Sequence, residues 1–118
     1  QEEKNVQIST KNIIIATGSK PAVPPSFNYD GHRVITSDEA LDLQEIPKSL
    51  LIVGAGVIGC EFSNIFSTLG SKVIMIDSAP SILPTESKTI SRKVEKLFSK
   101  KGIDSRRQPS TRGCDSQV

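Results

Sequence analysis

The feature that most restricts this chain is the run Gly54, Ala55, Gly56, Val57, Ile58, Gly59, set between two segments of opposite character. Before it, Leu50, Leu51, Ile52 and Val53 form an unbroken apolar stretch, the pattern of a strand buried on both faces of a parallel sheet. After it, Ile58, Phe62, Ile65, Phe66 and Leu69 recur at helical spacing, and Gly70 stands where such a helix would stop. Residues 73–76 then make another apolar strand, closed by Asp77. A lone G-x-G-x-x-G is a weak signal, since an ordinary strand-to-helix turn also uses glycine. In this setting each glycine has a task. Gly54 permits the tight turn out of the strand, Gly56 lets a pyrophosphate approach the backbone, and Gly59 lets the helix pack closely on the sheet. The free amides and the positive dipole end at the helix start then suit a phosphate.

Asp77 falls roughly 20 residues past the glycines, at the end of the second strand, where a carboxylate can accept both hydroxyls of an adenosine ribose. It would repel a 2′-phosphate, and no arginine follows within several residues, so the expected cofactor is NAD rather than NADP. The plain alternative for Asp77 is an acid that starts a turn with Ser78 and Pro80.

The rest of the chain extends the same alternation. Val6 and Ile8 alternate with polar residues as at the end of a half-exposed strand, and Ile13, Ile14, Ile15 and Ala16 read as a strand buried on both faces. That run stops at Thr17 and Gly18, and Pro21, Pro24 and Pro25 make residues 20–34 an extended connection. Ser37 is placed to cap a short helix over residues 38–43, with Asp38 and Glu39 in its first turn and Pro47 beyond its end. Pro80 and Pro84 bracket a loop, after which Ile90, Val94, Leu97 and Phe98 mark one face of a further helix that stops at Gly102. Strands and helices in turn imply an α/β fold with a Rossmann-like parallel sheet. Residues 105–118, with Arg106, Arg107, Pro109 and Arg112 and no apolar period, read as a disordered or poorly folded tail.

Composition excludes several functions. A net charge of +2 on 118 residues does not imply nucleic acid, and Lys88, Arg92, Lys93, Lys96 and Lys100 read as the solvated face of a helix. No apolar run reaches the length of a membrane-spanning helix. The two cysteines, Cys60 and Cys114, form no C-x-x-C, and His32 is the sole histidine, so neither a metal cluster nor a Ser-His-Asp triad is supported. Cys60 is expected to pack against the sheet rather than react.

Three stretches in order resemble the flavin-dependent pyridine nucleotide-disulfide oxidoreductases. Residues 10–21, with Ala16, Thr17, Gly18, Ser19 and Pro21, resemble that family's A-T-G-S-x-P strand end; residues 36–41 resemble its connection into the second domain; residues 47–84 resemble its NAD half-domain. The resemblance covers roughly residues 5–104 and implies an internal piece of a larger enzyme. By that resemblance, residues 1–22 end an FAD-binding domain, 23–46 connect, 47–104 form part of the NAD domain, and 105–118 are aberrant. It further implies that Thr17 and Gly18 touch FAD through their backbone, that Gly54, Ala55, Gly56, Val57, Ile58 and Gly59 surround the NAD pyrophosphate, and that Asp77 holds the ribose. Glu61 matches a family glutamate near the nicotinamide and flavin; otherwise it is an exposed acid in a first helical turn. Gly59, where NADP-using glutathione reductases commonly carry Ala, points to the lipoamide-oxidising branch. That branch implies NAD and FAD as cofactors, a lipoylated protein of a 2-oxoacid dehydrogenase complex as partner, a homodimer, and a cytoplasmic or organellar-matrix location. Mercuric reductases, NADH oxidases and a non-catalytic NAD-binding module are the alternatives. The family's FAD glycine motif, its C-x-x-x-x-C pair and its His-Glu pair are absent from these 118 residues, so no residue is assigned to catalysis.

Overall fold

A computed structural model describes residues 6–107. Three strands, β1 (Ser49–Val53), β2 (Lys72–Asp77) and β3 (Asp104–Arg107), form a parallel sheet in the order β1-β2-β3. Helix α2 (Val57–Thr68) joins the first pair and α3 (Lys88–Lys100) the second; a short α1 (Ser37–Leu41) precedes them. Leu51 stands opposite Ile74 and Val53 opposite Ile76, while Ile74 faces Asp104 and Asp77 faces Arg107.

Sequential strand order with right-handed crossovers puts both helices on one side of the sheet. The burial pattern agrees. Val73 and Met75 on β2 join Cys60 and Phe66 of α2, Phe98 of α3, and Ile82, Leu83 and Ile103 in one buried cluster, with Leu50, Ile52, Phe62 and Val94 packed at its margin. The opposite face is bare at β1, where Leu51 and Val53 are 57% and 52% exposed.

Both long helices end in the same way. Beyond α2, Gly70 takes φ 96° and donates to the Ser67 carbonyl, while Ser71 donates to that of Phe66. Beyond α3, Gly102 at φ 75° donates to Ser99 and Ile103 to Phe98. These are paired Schellman stops, in which glycine supplies the left-handed turn. Each delivers the chain straight into the next strand. Ser71 also donates to the Pro47 carbonyl (2.6 Å) and Lys72 to that of Lys48 (2.9 Å), fixing the start of β2 beside β1.

Several expectations need correction. Residues 13–16 form no strand: Ile13, Ile14 and Ile15 are 78–91% exposed, and residues 6–10 are likewise irregular. A strand needs a hydrogen-bonded neighbour, and among the described residues none pairs with this segment. The first helix runs from Ser37 to Leu41 rather than over 38–43, and its cap is Thr36, not Ser37. Thr36 and Glu39 form a full capping box, with Glu39 accepting from the Thr36 amide and hydroxyl, both at 2.7 Å. Residues 105–107, expected to begin a disordered or poorly folded tail, instead belong with Asp104 to strand β3. Exposed, charged Asp104 and Arg106 suit the outermost of the described strands, and Ile103, buried just ahead of them, anchors the segment against α3. Pro109 and Cys114 lie outside the described residues.

Candidate functional site

The carboxyl ends of parallel strands gather at one edge of a sheet, where crossover loops meet. Here the loop after β1 and the end of β2 meet at that edge. Gly54 leaves β1 at φ 109°, a conformation closed to side-chain-bearing residues, and its amide still donates to the Ile76 carbonyl of β2 (2.8 Å). Gly56 then acts as the N-cap of α2, and nothing lies within 4 Å of where its Cβ would be. Gly59 is the reverse case: a Cβ there would stand 2.0 Å from the Gly54 carbonyl oxygen and 3.4 Å from Ile52 Cγ2. Ser63, one turn on, continues the small face, its hydroxyl donating to the Gly59 carbonyl at 2.7 Å. Gly59 and Ser63 thus seat α2 directly on the strands.

The start of α2 carries no side-chain cap and no acid in its first turn. Helices α1 and α3, by contrast, are capped by Thr36 and Ser87. The first amides of α2 therefore keep open donors beside exposed Val57 and Ile58, which are 52% and 60% accessible. Glu61, matched by resemblance to a glutamate near the nicotinamide and flavin, is exposed on α2, and it lies beyond the first turn in which the plain alternative put it.

Between these parts, Ala55 is 2% exposed and held at both ends. Its amide donates to Asp77 Oδ2 at 2.5 Å, and its carbonyl accepts from the Leu83 amide at 2.7 Å and from the Cys60 thiol at 3.5 Å. The other Asp77 oxygen accepts from the Ala79 amide at 2.7 Å. Burial opposes ionisation of Asp77, but donation from the Ala55, Ala79 and Ser78 amides and the Ser78 hydroxyl outweighs it and holds the carboxyl below its usual range. Burial likewise raises the Cys60 thiol, against a smaller opposing effect of the Leu83 backbone, as suits a packing residue rather than a nucleophile.

The structure therefore brings together Gly54, Ala55, Gly56, Val57, Ile58, Gly59 and Asp77. It does not join Thr17 and Gly18 to them: both are exposed in an irregular stretch, with Gly18 at φ 75°. Two residues escaped the sequence reading. Leu83 sits at φ 48°, rare for a branched side chain, and no composition signal marks it. Arg107 stands in register with Asp77 on the neighbouring strand, a proximity visible only once β3 is recognised.

A parallel α/β unit with an open glycine loop at its carboxyl edge is the class that this fold defines. Residues 1–117 match the description of pyridine nucleotide-disulphide oxidoreductases, and the chain belongs to that family. It is 48% identical to a dihydrolipoyl dehydrogenase of Bacillus subtilis over 86% of its own length and 21% of that protein. Among solved structures, the LpdA protein of Mycobacterium tuberculosis superimposes with a TM-score of 0.70, at 33% identity, over 77% of this chain and 20% of that one. A water-forming NADH oxidase from Lactobacillus brevis, solved with NADH bound, superimposes with a TM-score of 0.62 at 26% identity, over 75% of this chain and 21% of its own. The chain spans about a fifth of the length of the curated relatives it matches.

Proposed function

We propose that residues 54–59 and Asp77 bind NAD in a flavin-dependent dihydrolipoyl dehydrogenase, with this segment supplying the nucleotide half of the site. The observation that carries this reading is the uncapped start of α2 behind Gly54 and Gly56, with a carboxylate at the end of the adjacent strand. Open space in front of Gly54 and Gly56 leaves room for a pyrophosphate, which a side chain at either position would fill. The amides of α2 face that space as donors, and the helix dipole adds a favourable charge. The Ala55 and Ala79 amides take one site on each Asp77 oxygen, and ribose hydroxyls would take the place of the Ser78 donors on the remaining sites, since a carboxylate offers about four lone-pair sites. One superimposed oxidase was solved bound to NADH, which supports a nicotinamide dinucleotide as the ligand.

When bound, NAD+ supplies the hydride acceptor and FAD the carrier; the contribution of this chain is to orient the nucleotide. Thr17 and Gly18 are assigned to FAD by family resemblance. The proposed substrate is the dihydrolipoamide of a lipoylated protein in a 2-oxoacid dehydrogenase complex, within a homodimer in the cytoplasm or an organellar matrix. No helix of the described residues is long and apolar enough to cross a membrane.

The direct test is a titration of NAD against NADP with Asp77→Arg. NAD binding is expected to weaken roughly tenfold or more, the size of a lost charge-assisted contact, with the preference moving toward NADP. An unchanged preference would remove Asp77 from the ribose site.

A further inference from the structure

Ala55 is the point at which three segments of the chain are tied together. Its amide is fastened to the end of β2 through Asp77, and its carbonyl to the loop before α3 through Leu83. Leu83 in turn passes its own carbonyl to the Ser91 hydroxyl of α3 at 3.2 Å, and Ser91 is 3% exposed. The path runs from half-buried Asp77 through buried Ala55 and Leu83 to buried Ser91, and it contains no group that a nucleotide must supply. Both backbone polar atoms of Ala55 are bonded within the protein, while Gly56 and Val57 beside it are exposed.

We propose that Asp77 is a positioning residue for the glycine loop, and that its carboxylate sets the pyrophosphate-binding shape before any nucleotide arrives. This goes beyond a ribose contact but rests on the nucleotide reading above. A carboxylate is the required group because each of its oxygens takes one amide, Ala55 on one and Ala79 on the other. Asparagine offers a single acceptor oxygen and turns an NH2 toward the second amide, so it satisfies one and opposes the other. The bond to Ala55 is charge-assisted and short, the stronger kind. A substitution that removes the acid to admit a 2′-phosphate therefore also releases the loop, and the two effects are separable.

Inorganic pyrophosphate separates them, because it has no ribose. If Asp77 touches only ribose, Asp77→Asn removes a negative charge near the loop, and pyrophosphate binding stays the same or tightens. If Asp77 sets the loop, pyrophosphate binding in Asp77→Asn and Asp77→Ala weakens, by roughly threefold to tenfold for one hydrogen bond lost. The companion measurement is amide hydrogen exchange in the full chain without ligand. Protection at Ala55 is expected to fall roughly tenfold or more relative to Met75, which lies within β2 and reports the sheet itself. Equal losses at Ala55 and Met75, or pyrophosphate binding as tight as before, would overturn the proposal. Failure of the unsubstituted chain to bind pyrophosphate or NAD would instead strike the nucleotide reading, and Ala55 exchange would still decide the positioning role.

Discussion

At Gly59 the backbone is ordinary and the space is nil; at Gly70 and Gly102 the space is open and the backbone is left-handed. The same substitution to alanine therefore acts through different physics. Gly59→Ala drives a methyl into the Gly54 carbonyl, so α2 must lift from the sheet, at a cost of about 1–3 kcal/mol typical of overpacking. The fall in denaturation midpoint is expected to come with weaker nucleotide binding, since Gly54 belongs to the loop. Tyr29 offers another residue-level test, as the single tyrosine in a chain without tryptophan. Its hydroxyl donates to Glu39 Oε1 at 2.7 Å, and that bond, with smaller contributions from desolvation and nearby acids, raises the phenol above its usual 10.0. Absorbance titration should place tyrosinate formation above that value, and Glu39→Gln should bring it back down.

Among the elements, α1 is the one with a readable pH dependence. Glu39 ionises at about 2 instead of 4.5, chiefly because Tyr29 and then Thr36 donate to its carboxylate. The folded segment thus binds this proton more weakly than the unfolded one. Its contribution is complete above 4.5 and disappears as the pH falls toward 2. Tyr29 fluorescence should report the change in that window, with no matching change in Glu39→Gln. The two Schellman stops give a second element-scale expectation: Gly70→Ala or Gly102→Ala should each cost about 1–2 kcal/mol in chemical denaturation, the penalty of a left-handed alanine. These stops were legible, because each glycine follows a strong helical period. The helix from Ser37 was legible in kind but not in its cap, since Thr36, Ser37 and Asp38 are all good capping residues and only Glu39 decides between them. β3 was not legible: Asp104, Ser105, Arg106 and Arg107 carry no apolar signal, and the strand exists through its bonds to β2.

For the whole molecule, the decisive fact is that both long helices cover one side of the sheet. The glycine loop, its strand and its acid could be read from the sequence because the period changes sharply at Gly54. The circuit through Leu83 could not, because it depends on which backbone atoms come together in three dimensions. The apolar run at residues 13–16 shows the opposite failure, in which local pattern promised a strand that has no neighbour to pair with. On the uncovered side, Leu51 and Val53 of β1 should bind a hydrophobic fluorescent dye, and a Leu51→Thr, Val53→Thr double variant should bind it more weakly with its helix content preserved.

The bond between Ala55 and Asp77 spans 22 residues of chain. Synthesis from the amino end therefore makes the loop well before it makes the parts that fasten it. Until Asp77, Leu83 and then Ser91 have emerged from the ribosome, the glycines are free to adopt other turns. On the nascent chain, competence to hold a phosphate should appear as a late step, arriving with α3 rather than with the motif itself.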